Sequence, residues 1–155
     1  MALSPETRHS DLKGSLKKYF VDNLETTSEI KLFLKWIPDV PVDASGNKLD
    51  QWAIIILGDH NLGTVAECFV EINLFTRNDN EGDDLTALYD LLMNYIIDEG
   101  SSNGLVSIPY YDISSIPWVK VGGIIPFINR VFGAEEMKDN THMKTIHLLC
   151  KWGSK

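Results

Sequence analysis

The stretch that most constrains this chain runs from Cys68 to Leu92, CFVEINLFTRNDNEGDDLTALYDLL. It begins as an alternating strand, crosses an acidic turn and continues as an apolar-periodic helix. Strand residues alternate between two faces. From Thr64 to Arg77, the residues Ala66, Cys68, Val70, Ile72 and Leu74 therefore form one apolar face. Glu67, Phe69, Glu71, Asn73, Phe75 and Arg77 form the other, where two large aromatics sit among charges. After the turn, the period changes from two to that of a helix over 84–98, with Asp83 as expected N-cap and Asp84 where the helix dipole favours negative charge.

A long strand joined directly to a helix needs other strands to complete a sheet. Residues 4–24 predict a first helix: Ser4 caps, Pro5 takes the first turn, and Leu12, Leu16, Phe20 and Leu24 make the stripe. Gly14 weakens it off that stripe. Strands are expected at 29–37, with Ile30, Leu32, Leu34 and Trp36 on one side, and at 51–57, apolar on both faces and hence central. GDHNLG (58–63) reads as a turn. A strand at 104–113 contains Pro109, which suits an edge or a strand end, and a last strand covers 142–152 with Ile146, Leu148, Cys150 and Trp152 on one face. Segment 114–140, interrupted by Pro117, Gly122, Gly123 and Pro126, fits either a hairpin or an arm that packs on a partner. Strand runs without regular β–α–β alternation imply an α+β fold. The expectation is one domain over 1–155, a mostly antiparallel sheet flanked by an N-terminal and a central helix.

The 155 residues carry a net charge of −8. This argues against a sequence-independent nucleic-acid binder, which needs Lys and Arg to displace phosphate counterions, and against docking on an anionic membrane surface. No apolar run approaches a membrane span. The polar start MALSPETRHSDLKG lacks a signal-peptide core, so Cys68 and Cys150 are expected as free thiols in a reducing compartment.

Chemical motifs are sparse. With Gly82 in the invariant glycine place of an EF-hand loop, Arg77 would hold position one and Leu88 position twelve, which excludes that motif. A looser cation site from Asp79, Glu81, Asp83 and Asp84, serving a metal-dependent enzyme, competes with a solvated turn that caps its own helix. His142 and His147 fall on opposite strand faces, while His60 follows Asp59 in a turn and His9 lies on a solvated helix side. Glu135–Glu136 and Asp83–Asp84 are adjacent and diverge, unlike a convergent acid–base pair. No phosphate-binding glycine loop or nucleophile elbow occurs. Neither catalytic nor metal residues are assigned, and no cofactor.

What remains is surface. Helix 84–98 carries Leu85, Leu88, Leu91, Leu92, Tyr95 and Ile96, and beyond them Tyr89, Met93 and Ile97. That arc is wider than one sheet face needs, so its cover is either segment 114–140 or a neighbouring subunit. Phe33, Phe69, Glu71, Phe75, Arg77, Tyr89, Met93, Ile97, Trp118 and Phe127 are the candidate interface residues.

AECFVEINLFTRNDNEGDDLTALYDLLMNYIIDEG (66–100) resembles the central pattern of phage tail terminator and tail-completion proteins. There a long strand ends in an R-x-D-like turn, here Arg77–Asp79, and enters a helix of the form L-x-x-L-x-x-x-L-x-x-x-I, here Leu85, Leu88, Leu92 and Ile96. The order of elements is similar over about the whole chain, and segment 114–140 departs from shorter members. The resemblance implies a non-enzymatic ring subunit, typically hexameric, in the virion tail or neck and assembled in the host cytoplasm. Such a ring caps the tail tube protein, ends its polymerisation and meets the head–tail connector, while DNA passes through its lumen. Other head–tail joining, baseplate or secretion-system components remain the alternative.

Overall fold

The structure, a computed structural model, describes residues 9–61 and 65–153. The expected Ser4 cap and Pro5 start lie outside the described residues, as do the side chains of His9 and His60. Helix α1 spans His9–Phe20 and continues as a π-helical segment, Val21–Thr27. Leu12, Leu16, Phe20 and Leu24 are all at most 1% exposed. A spacing of four advances about 40° per step around an α-helix, and the wider winding of the π segment turns that drift back so that Leu24 stays on the stripe. Gly14 lies against the turn after residue 112: a Cβ there would lie 3.2 Å from Ile113 Cγ2.

Seven strands form one sheet: β1 (Lys31–Phe33), β2 (Gln51–Asn61), β3 (Val65–Arg77), β4 (Ile108–Asp112), β5 (Val119–Val131), β6 (Glu135–Met137) and β7 (Thr141–Gly153). Their order is β1-β2-β3-β7-β5-β4, with β6 beside β7. Among the described residues, β1–β2 is the one parallel pair and the others are antiparallel. With helix α2 (Asp83–Asn94), the chain is the expected α+β fold, a curled, mostly antiparallel sheet with an N-terminal and a central helix. Helix α1 packs on β4, and α2 on β3 and β7.

The face predicted for β3 is realised: Ala66, Cys68, Val70, Ile72 and Leu74 are at most 1% exposed and share the main core with Ile146, Leu148, Cys150 and Trp152 of β7. Both faces of β2 are buried, Ala53 and Ile55 against the helices and Trp52 and Ile54 in a second cluster. Yet β3 and β7 are the central strands, because β1 borders β2 only along Trp52–Ile54. Pro109 lies in the edge strand β4, as its missing N–H requires.

Several boundaries differ from expectation. The first strand ends at Phe33 rather than residue 37, leaving Leu34 and Trp36 exposed. Past Phe33 the chain crosses the outer sheet face, and Phe33, Ile37, Val40 and Leu49 pack around Trp52, Ile54 and Phe75. Burying that second cluster outweighs extending the strand. The expected turn at 58 is strand through Asn61, with a bulge between Leu57 and His60. Helix α2 stops at Asn94, after which Asp98 N–H bonds to Gly104 carbonyl and Ile97 pairs with Leu105. Segment 114–140 contributes two strands. β5 pairs first with β4 and then with β7, and β6 follows along β7. Gly123, opposite Pro109, sits close to the Ser107 hydroxyl, which a side chain there would push aside.

Candidate interaction surface

The acidic turn is organised around one residue. Asp79 is 5% exposed and accepts hydrogen bonds from Leu85 N–H at 2.8 Å, Asp84 N–H at 3.2 Å and the Thr76 hydroxyl at 3.1 Å. Both oxygens thus satisfy the free N–H groups of the first turn of α2. Burial would raise this carboxyl, but the two amides, Thr76 and nearby His142 outweigh it and hold the Asp79 carboxyl below the usual range. The expected cap, Asp83, is instead an exposed first-turn residue, and the N-cap position is Gly82 at φ 78°. That left-handed turn lets the chain double back so that Asp79, not its neighbour, reaches the helix. Glu81, Asp83 and Asp84 are exposed, and no group of three His, Cys, Asp or Glu side chains converges on a metal position among the described residues.

Cys68 and Cys150 face one another across β3 and β7, both buried and free. Burial pushes the Cys68 thiol up to about 11 and the Cys150 thiol higher still, so both stay protonated near neutrality. His147 is on the outer face, 3.2 Å from Glu71 and edge-on to Phe69 and Phe132 at 4.8 Å each. His142 stands opposite Thr76 at the other end of β7.

The candidate interface residues do not form one patch. On the outer face, Phe75 is 4% exposed and stacks on Trp52, and Phe33 packs beside them. Arg77 ties down the preceding loop through the carbonyls of Leu49 (3.2 Å) and Lys48 (3.3 Å) and the Asp50 carboxylate (3.3 Å). Phe69 and Glu71 surround His147, and Phe127 is 39% exposed beneath Lys151. On the helical side Met93 is 8% exposed, Tyr89 lies under Lys144, and Ile97 is 42% exposed. Trp118 is at a third place, beside Tyr111 and α1.

Sequence reasoning did not single out two strongly exposed apolar side chains, Ile116 and Trp36. Ile116 is 97% exposed at the tip of the β4–β5 loop, and Trp36 is 50% exposed. The available signal was the apolar run Ile116-Pro117-Trp118-Val119 between polar residues. Trp36 leans towards Phe75, 6.1 Å between centroids, and walls a pocket of about 800 Å³. Trp52, Phe75 and Val40 complete its apolar side, and Asp39, Lys48, Glu136, Lys138 and Asp139 its rim. Lys48 and Asp139 pair at 2.6 Å.

No helix among the described residues is long and apolar enough to cross a membrane. No protein-family model matches the sequence, and no curated protein matches it. Among solved structures, a chain known only by a sequence identifier is similar over 96% of this chain and 98% of its own length, with a TM-score of 0.61 at 7% identity. At that identity the likeness establishes a shared fold.

Proposed function

We propose that this protein is a non-enzymatic ring subunit of a phage tail or neck, a tail terminator or a closely related joining protein. It caps the tail tube, ends tube polymerisation and presents a face to the head–tail connector. The observation that carries this reading is apolar surface left open along β5 and the loop that leads into it. Val119, Phe127, Ile128 and Val131 of β5 are 37–51% exposed, next to Ile116 and Trp118. Scattered apolar residues on a surface are ordinary, whereas a run of them along one strand favours burial by another chain. The R-x-D-like turn supports the same reading: Asp79 caps the first turn of α2, and Arg77 anchors the end of β3 to the loop at Lys48–Asp50. A closed ring uses two different patches per subunit. A net charge of −8 suits a lumen that DNA traverses without sticking.

The test is tube assembly. Tail tube subunits from the same source, polymerised with this protein, should give shorter tubes capped at one end. Tubes of unchanged length with bare ends would contradict the proposal.

A further inference from the structure

We infer that the loop tip Ile116–Trp118 of one copy seats in the Trp36 pocket of the next copy. This assignment rests on the ring-subunit reading and names the contact that would build the ring.

The tip and the pocket are a knob and a hole of matching character. The knob carries Ile116 at 97% and Trp118 at 41% exposure, with Val119 at 51% behind them. The hole, about 800 Å³, is within the ~300–1,000 Å³ range that holds compact apolar groups, and Trp36, Trp52 and Phe75 line it.

They are also at opposite ends of the sheet. The pocket is built at the start of β7, where Thr141 lines it. On β7, Lys151 stands opposite Ile125 of β5. Val119 lies six residues before Ile125, hence beyond the last β7 residue, Gly153. One copy cannot fill its own hole with its own knob in this fold. A contact between copies therefore uses different surfaces on each and repeats head to tail, closing into a ring if the rotation closes.

Charge favours the same pairing. The knob end exposes Lys120, and α1 beside it exposes Lys13 and Lys17, while Lys18 is paired with Asp22 and the carboxylate at the base of the loop, Asp112, is engaged by Ser114 and Ser115. The pocket rim exposes Asp39 and Glu136 against a single uncompensated base, Lys138, because Lys48 and Asp139 neutralise each other. A basic knob entering an acidic rim fixes orientation and speeds encounter.

The experiment uses the full chain and sedimentation or mass photometry across protein concentration and salt. Ile116→Asp removes the knob, and Trp36→Asp removes the hole. Glu136→Lys is a second hole variant for the case in which Trp36→Asp lowers stability. Circular dichroism confirms that each variant is folded. The wild type should self-associate, and each single variant should weaken association by about tenfold or more. An equimolar mixture of the knob variant and a hole variant retains one working contact and should stop at a one-to-one dimer. Lys120→Glu should weaken association, and Glu136→Lys should restore it in the double variant. Wild type and variants associating alike would overturn the knob-and-hole assignment and leave the ring reading standing. A wild type that stays monomeric, with no pairing in the mixture, would overturn the assignment as well. The ring reading is then judged separately by whether the protein caps tail tubes.

Discussion

Asp79 and Leu85 are joined by a 2.8 Å hydrogen bond from the Leu85 N–H to Asp79 Oδ2, and this bond fixes the joint between β3 and the central helix. Removing the carboxylate leaves the buried N–H of Leu85, and the partly buried N–H of Asp84, without their partner. Asp79→Ala should therefore lower stability by about 1–2 kcal/mol in denaturant unfolding, in line with other lost caps. Asp83→Ala, at an exposed position, should change it by less than ~0.5 kcal/mol. Equal effects of the two would contradict the assigned cap.

The same carboxylate gives a sign for acid. The Asp79 carboxyl titrates lower in the folded chain than in the unfolded one. Its contribution is complete above the unfolded value, about 3.9, and fades as pH falls through the folded value. Acid unfolding of Asp79→Asn should start from a lower baseline and show a shallower fall below about pH 4 than the wild type. An unchanged acid slope would contradict the linkage.

Tyr19 gives the opposite sign in alkali. Burial, and then the neighbouring Tyr95, push its hydroxyl up to about 12, and it donates a 2.6 Å hydrogen bond to the Tyr95 carbonyl. The neutral form is the stabilised one. Its contribution is intact below the unfolded value of about 10 and is lost as pH rises through the folded value. Thermal melting between about pH 10 and 12 should therefore fall less steeply in Tyr19→Phe than in the wild type.

Trp52 and Phe75 stack with centroids 5.1 Å apart and 4° between planes. Phe75 thus belongs to a second core on the outer face. Phe75→Ala should cost about 3–4 kcal/mol, the range for a buried phenylalanine. Phe127→Ala, on a half-open surface, should cost under ~1 kcal/mol in the isolated chain. A cheap Phe75→Ala would contradict the second core.

The strand-to-helix segment was legible because two strong periods meet there, and every inward residue of β3 expected from alternation is buried. The helix stripe at Leu12, Leu16, Phe20 and Leu24 was legible for the same reason. Three features were not. Alternation gives the face of Trp36 only while the strand lasts, and the chain leaves the sheet after Phe33 to cover Trp52 and Phe75. The cap passed from Asp83 to Asp79 because a left-handed Gly82 reverses the turn, a geometry that spacing alone does not encode. The Pro and Gly residues of segment 114–140 argued against one long regular element, yet β5 runs through Pro126, opposite Cys150, and through Gly122 and Gly123, opposite Tyr110 and Pro109. Of the candidate surface, Phe127, Ile97 and Trp118 are exposed, while Phe75 and Met93 are packed inside. Sequence alone ranks aromatics among charges as surface, and only tertiary packing separates the two groups.

The acidic turn offers a further check. With both Asp79 oxygens engaged by the protein, calcium or magnesium should leave the melting temperature unchanged relative to chelator. A rise that disappears in an Asp79, Asp83 and Asp84 to Asn variant would revive a cation site at this turn.

The most direct measurement of the central proposal is electron microscopy of the protein alone and mixed with tail tubes of the same source, with solution mass taken on the same samples. The ring-subunit account predicts closed rings of one size, either free or seated on one end of the tubes. Monomers at every concentration, together with tube ends that carry no added ring, would contradict it.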